Sequence, residues 1–130
     1  MAEEKEMKFE LNQLNDRHEF EVFKKENFTG KHINNIKFNN IHFLECDFTG
    51  AVISICEFNE KCLFNNCTFN GTTFLNCKFN DTSIRECSFS NVEFTDVNIG
   101  SDCIMQDNNW SDNCKINNFI FRGEKLEDIS

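Results

Sequence analysis

The chain has 130 residues, about the length of one domain, and a net charge of −9 from 22 acidic and 13 basic side chains. This charge argues against direct binding to nucleic acid or to an anionic membrane surface. No apolar run is long enough to cross a bilayer, and the first residues lack the apolar core of a signal peptide. We therefore expect a cytoplasmic protein.

Residues 1–27 are acidic and precede any clear repeat. Met7, Leu11 and Leu14 would share one face of a short amphipathic helix. We predict that residues 1–27 form an N-terminal cap, part of it helical, because the ends of a repeat structure need covering. A binding arm is the alternative interpretation.

From residue 28 onward a large apolar residue recurs every five positions, as Phe69 does in the unit Cys67-Thr68-Phe69-Asn70-Gly71. We call this residue the centre of its unit. Three of the steps between centres span six residues instead of five, and we expect a local bulge at each of them. The nineteen centres are Phe28, Ile33, Phe38, Phe43, Phe48, Ile53, Phe58, Phe64, Phe69, Phe74, Phe79, Ile84, Phe89, Phe94, Ile99, Met105, Trp110, Ile116 and Phe121.

The cysteines support this register independently, because all eight of them fall two positions before a centre. A wrong register would scatter them. They are Cys46, Cys56, Cys62, Cys67, Cys77, Cys87, Cys103 and Cys114.

A five-residue period suits neither a helix, around which the centres would spiral, nor a flat strand, on which they would alternate between faces. It fits short extended pieces separated by corners. The centre and the residue two positions before it then point the same way, and Asn, Gly and Asp turn the corner. Four corners of about 90° close one coil, and the next coil stacks on it about 4.8 Å away.

The units resemble the signature of the pentapeptide-repeat family, with Leu or Phe at the centre and Ala, Cys, Ser, Thr or Val two positions before it. The resemblance covers roughly residues 26–121. It implies an all-β fold, a right-handed quadrilateral parallel β-helix of nearly five coils and a rod on the order of 23 Å long. We assign residues 28–121 to this solenoid and residues 122–130 to a C-terminal tail or cap.

Every fourth unit then lies on the same side of the rod. The predicted stacks are Phe28, Phe48, Phe69, Phe89 and Trp110 on the first side; Ile33, Ile53, Phe74, Phe94 and Ile116 on the second; Phe38, Phe58, Phe79, Ile99 and Phe121 on the third; and Phe43, Phe64, Ile84 and Met105 on the fourth. Beyond them, Leu126 and Ile129 would cover the last coil or join two copies, so a homodimer through a solenoid end is one expected assembly.

Eight cysteines raise the alternatives of a disulfide framework and a metal site. The expected cytoplasmic setting argues against disulfides, and the lack of a C-x-x-C pair argues against a metal. We expect eight buried, inert thiols and no cofactor. No Ser–His–Asp, Cys–His or glycine-rich phosphate loop is recognisable, so we expect no enzyme activity and assign no catalytic residue.

Two functional hypotheses remain. The first is a non-catalytic scaffold for protein–protein interaction, with an unknown protein partner. Val52 and Leu75 face outward on the predicted second side, with Ile55 at its corner, and together they are the candidate partner-binding surface. Single outward apolar residues are also normal, which is the competing interpretation.

The second hypothesis follows from the resemblance. Some pentapeptide-repeat proteins are acidic rods that bind bacterial type II topoisomerases such as DNA gyrase in place of DNA and protect against quinolones. Between Phe28 and Phe121 the chain has 11 acidic and 6 basic residues, a net charge of −5. Duplex DNA of the same length carries roughly 14 charges, so we rank DNA mimicry second.

Overall fold

The computed structural model describes residues 16–17, 20–111 and 113–126, and every regular element within them is a β-strand. The strands are β1 (Asp16–Arg17), β2 (Glu21–Lys24), β3 (His32–Asn34), β4 (Lys37–Asn39), β5 (Ile41–Leu44), β6 (Val52–Ser54), β7 (Glu57–Asn59), β8 (Leu63–Asn65), β9 (Thr68–Asn70), β10 (Thr73–Phe79), β11 (Ser83–Arg85), β12 (Ser88–Ser90), β13 (Glu93–Ile99), β14 (Ile104–Gln106), β15 (Asn109–Trp110), β16 (Lys115–Phe121) and β17 (Glu124–Leu126).

The strands wind into a parallel β-solenoid of about five turns, which confirms the predicted fold. On the first side β9, β12 and β15 pair in parallel, and bridges at Asp47 continue this ladder toward the N-terminus. The fourth side is the five-stranded sheet β2-β5-β8-β11-β14. The second and third sides join in one nine-stranded sheet, because β10, β13 and β16 each run through the corner between them.

The pairing register places each centre on the centre of the next coil. On the second side, for example, Phe74 lies opposite Ile53 in one neighbouring strand and Phe94 in the other. On the fourth side Ile84 lies between Phe64 and Met105 in the same way. The four predicted stacks are therefore confirmed.

At nearly every described corner the residue two positions after the centre adopts a left-handed conformation; Ser101, at the second six-residue step, is the exception. Asn, Asp and Gly tolerate this conformation best. The left-handed corner residues, with φ between +50° and +71°, are Lys25, Gly30, Asn35, Asn40, Glu45, Gly50, Ile55, Glu60, Asn66, Gly71, Asn76, Asp81, Glu86, Asn91, Asp96, Asp107 and Asn118.

The six-residue steps change the corner locally. At the first step Lys61 is also left-handed, with φ of 70°, so two consecutive residues widen the corner. At the second step the chain forms a turn in which the Cys103 N–H donates to the Gly100 carbonyl, 3.2 Å away. The third step includes Asp112, which lies outside the described residues.

The core is a column of side chains packed at the spacing of the coils. From Phe28 to Trp110, consecutive ring centroids on the first side are 4.2–5.0 Å apart, and the ring planes are tilted by at most 10°. This distance is close to the spacing of adjacent strands. The centres from Phe23 to Ile99 are 1–4% exposed. The last coil is more open, and its four centres, Met105, Trp110, Ile116 and Phe121, are only partly buried.

The small residue before each centre also satisfies the backbone. Thr72 Oγ1 donates a 2.7 Å hydrogen bond to the carbonyl of Phe48, which lies 24 residues earlier in the coil below. The cysteine thiols donate to equivalent carbonyls at sulfur–oxygen distances of 3.1–3.7 Å. Cysteine and threonine therefore suit this position because they are small and can donate a hydrogen bond.

The N-terminal boundary differs from the prediction. The β2 strand pairs in parallel with β5, and the ring of Phe23 stacks on that of Phe43 with centroids 5.6 Å apart. The ladders of the solenoid therefore begin before residue 28, at β1 on the third side, which pairs in parallel with β4, and at β2 on the fourth side. The predicted helix falls on residues 1–15, which lie outside the described part of the chain.

The C-terminal tail begins with a hairpin. β17 pairs antiparallel with β16, and Arg122 and Gly123 form the turn between them with φ values of 52° and 87°. Positive φ at both positions is typical of a tight two-residue hairpin turn. The hairpin covers the last strand of the third side. The expected role of Ile129 falls outside the described residues, and the end-to-end homodimer stays a prediction.

We expect Phe69→Ala to lower the free energy of unfolding by about 3–5 kcal/mol, because it removes a buried ring that stacks on Phe48 and Phe89. Thr68→Ala, one residue away and exposed, should change it by no more than about 0.5 kcal/mol. Urea unfolding of the two variants measures both values. Similar losses in the two variants would contradict the register.

Candidate functional site

Val52, Leu75 and Ile55 lie on the second side as predicted, with Ile55 at the corner that leads to the third side. Val52 is paired in register with Thr73, and Leu75 with Ser54, so Val52 and Leu75 lie on adjacent coils, two residues apart along the strand direction. The Ile55 N–H donates to the Leu75 carbonyl at 2.9 Å. Val52 and Leu75 are half-buried, whereas Ile55 is 53% exposed. The structure therefore brings the three residues onto one surface.

Ile55 departs from the corner chemistry of the rest of the chain. Its φ is +54°, and among the described non-glycine residues with positive φ it is the one that is apolar and β-branched. A β-branched residue in the left-handed region is a genuine outlier, and such strain costs on the order of 1–3 kcal/mol. Because the Ile55 side chain is exposed, its burial within the chain does not offset this cost in backbone strain. Strained residues of this kind cluster at functional sites.

A second apolar surface lies on the fourth side, and the sequence analysis did not predict that its residues lie together. The ring of Phe20, which is 56% exposed, contacts that of His42 edge-on with centroids 4.9 Å apart. Val22 and Leu63 flank His42 in the strand register, and all three are half-buried. The sequence reading missed it because Phe20 and Val22 had been assigned to the cap. The signal that could have found it is the five-residue step from Phe23 to Phe28, which continues the spacing of the centres.

Acidic side chains line both corners of the fourth side. At the corner with the third side are Glu60, Asp81 and Asp102, and at the corner with the first side are Glu45, Glu86 and Asp107. All six are exposed. Lys61 and Arg85 reduce this charge locally.

Seven of the eight cysteines are buried, and all eight are free thiols. The expectation of eight buried thiols is wrong for Cys114, which is partly exposed because it belongs to the open last coil. Within the described residues, no group of three or more His, Cys, Asp or Glu side chains is arranged to hold a metal ion. No helix in that part of the chain could cross a bilayer.

The surroundings of the buried thiols shift their pKa values in both directions. Burial raises the pKa of Cys56 to about 11 and that of Cys77 to about 12. In the column on the first side, hydrogen bonds to the thiols of Cys46 and Cys87 raise the pKa of Cys67. The Cys67 thiol in turn lowers the pKa of those two neighbours.

A family profile described as Pentapeptide repeats (9 copies) matches residues 54–107. Two solved structures of trypsin-treated variants of QnrB1, a plasmid-mediated fluoroquinolone resistance protein, are similar in fold. The first is 19% identical, with a TM-score of 0.45, and the match covers 72% of this chain and 54% of that chain. The second is 15% identical, with a TM-score of 0.43, and covers 72% and 69%.

A third solved structure is a pentapeptide repeat protein, Rfr23, from the cyanobacterium Cyanothece 51142. It is 12% identical, with a TM-score of 0.32, and the match covers 76% of this chain and 86% of that chain. None of the curated protein sequences matches significantly. The chain spans about half the length of the first QnrB1 structure.

Units of mostly five residues stacked on four sides, with a large apolar centre and in nearly all described units a left-handed corner, define a pentapeptide-repeat solenoid. Residues 54–107 of the chain therefore carry the repeats of the pentapeptide-repeat family.

Ile55→Asn should raise the free energy of unfolding by about 1 kcal/mol, because Asn adopts the left-handed region with less strain. Asn already occupies the equivalent corners at positions 35 and 76. Urea unfolding of the variant and the wild-type chain checks the sign. A loss of stability would mean that the Ile55 side chain makes contacts that outweigh its backbone strain.

We expect the free energy of unfolding to fall at alkaline pH because of the buried thiols. The pKa values of Cys56 and Cys77 are raised in the folded chain from an unfolded value of 9.0. Their contribution is therefore complete below pH 9 and falls as pH rises toward 11, by up to about 1.4 kcal/mol per pH unit for each thiol. Urea unfolding from pH 8 to 11 checks this, and a Cys56→Ala/Cys77→Ala variant should show a shallower decline. An equal decline in both proteins would contradict the assignment.

Proposed function

We propose that this protein is a non-catalytic, cytoplasmic scaffold that binds a protein partner through Val52, Ile55 and Leu75. The observation that carries the proposal is the exposed, strained isoleucine at a corner where the equivalent residues of neighbouring coils are Asn35 and Asn76. The free thiols are compatible with a reducing compartment.

The surface has the properties of a small interaction patch. Its backbone is held in ladders between two coils, so binding would order little of the chain and cost little conformational entropy. Apolar anchors surrounded by polar neighbours commonly dominate protein interfaces. Ser54, Asn34 and Asn76 supply such neighbours, and the Ser54 hydroxyl is already hydrogen-bonded to Asn34 Oδ1 at 2.8 Å.

Binding to DNA gyrase in place of DNA is the second candidate, and the acidic corners of the fourth side favour it. Six carboxylates over four coils correspond to one charge per about 3 Å of rod, given a rise of about 4.8 Å per coil. Duplex DNA has one charge per about 1.7 Å. The strip therefore has roughly half the charge density of duplex DNA, and Lys61, Arg85 and the ion pair between Lys25 and Glu45 reduce its net charge further.

Affinity capture from the source cell, at low and high salt, tests the scaffold. An apolar contact should persist at high salt, whereas a charge-based one should weaken steeply. We expect the Ile55→Asn variant to capture at least about tenfold less partner than the wild type, because the substitution removes one interface anchor. The loss should occur although the variant is the more stable protein. Leu63→Ser, on the fourth side, is the matched control and should retain the wild-type amount.

Supercoiling by purified gyrase, titrated with this protein at two salt concentrations, tests the second candidate. Inhibition at low protein concentration that fades with salt, and that is unchanged in Ile55→Asn, would reverse the ranking. A captured partner that is lost with Leu63→Ser and kept with Ile55→Asn would assign the interface to the fourth side instead.

A further inference from the structure

Asn70 and Gly71 form the one Asn-Gly pair in the sequence. In such a pair the glycine nitrogen can attack the side-chain carbonyl carbon of the asparagine, since glycine has no Cβ to obstruct the approach. Asn70 ends β9 with its side chain exposed, and Gly71 is the corner residue that follows, with φ of +71°. The reacting groups are therefore adjacent and accessible to water.

The backbone of this pair is held from both directions. The Gly71 N–H donates to the Ser90 carbonyl in the coil above at 2.8 Å. The Asn70 carbonyl accepts a hydrogen bond from the Gly50 N–H in the coil below, also at 2.8 Å. The attacking nitrogen must leave the Ser90 carbonyl, and the planar peptide group must turn about the Asn70 Cα–C bond, before the Gly71 nitrogen can reach Asn70 Cγ.

We propose that Asn70 is a deamidation site and that the hydrogen bonds to the neighbouring coils prevent its reaction in the folded protein. Deamidation of Asn70 would then occur only in molecules in which this coil has opened. The Gly71 nitrogen forms a bond to Asn70 Cγ and gives up its proton, and the side-chain amide leaves as ammonia. Water then opens the resulting cyclic imide at either carbonyl. The products are Asp at position 70 or an isoaspartyl linkage, and the net reaction consumes one water and releases one ammonia.

The products would change the solenoid in different ways. An Asp side chain adds a negative charge to the first side, near Asp47 in the neighbouring strand ladder. An isoaspartyl linkage adds a carbon to the main chain and moves Gly71 out of register with Ser90. Because the hydrolysis is irreversible, the second product prevents the coil from closing as before.

Peptide mapping by mass spectrometry tests the proposal at mildly alkaline pH, with the protein folded in buffer and unfolded in urea. Conversion of Asn70 should be at least about tenfold slower in the folded protein, because it proceeds only through the opened fraction. Equal rates in the two conditions would overturn the proposal.

The core variants provide the matched comparison in buffer. Phe69→Ala weakens the stack of this coil and should deamidate faster than the wild type, and if it does not fold it should react at the rate seen in urea. Thr68→Ala leaves the stack intact and should react at the wild-type rate. An unchanged rate in a folded but destabilised Phe69→Ala protein would also overturn the proposal.

Discussion

The rise from one coil to the next is the constraint on which the rest of the structure depends. Parallel backbone hydrogen bonds set this rise at the spacing of adjacent strands. Stacked aromatic centres such as Phe48 and Phe69, 5.0 Å apart, match it closely. A centre therefore packs well only if the equivalent residue of the next coil is also large and flat or branched. Phe, Ile and Trp can therefore replace one another at centres without disturbing the register.

The same constraint determines the other two repeated positions. A corner residue must turn the chain without breaking the ladder, and the left-handed conformation does so because its N–H still reaches the next coil, as that of Asn66 does with Arg85. The small residue before each centre must leave room for the stack. Where it is Cys or Thr it also donates to a carbonyl of the coil below, so one side chain fills space and satisfies a buried polar group. Val92 and Val97 occupy such positions as space-fillers without a donor.

The core and corners of the solenoid could be predicted from the sequence because the centre, the small position before it and the corner each accept only certain residue types. The centres, the buried cysteines before Cys114 and the left-handed corners all follow from the period of five. Phe23 was missed because Glu21 stands at its small position and Lys25 at its corner, so the signature is absent although the backbone pairing is present. The hairpin after Phe121 was missed because its turn, Arg122-Gly123, is antiparallel and does not belong to the repeat.

The candidate site could be predicted only in part, for a physical reason that also limits what the fold says about function. Outward side chains do not touch the stack, so the solenoid tolerates almost any residue there. The sequence could place Val52 and Leu75 on one side, but it could not show that the outward residue Phe20 would meet His42 on another.

Ile55 differs from these because the backbone constrains it. Its corner selects against β-branched residues, and solvent exposure provides no compensating burial. A position that the fold disfavours, and that packing within the chain does not explain, is therefore more informative about function than an apolar residue at an unconstrained outward position. This difference in constraint is why we propose the partner-binding surface at the corner of the second side, and not on the apolar surface of the fourth.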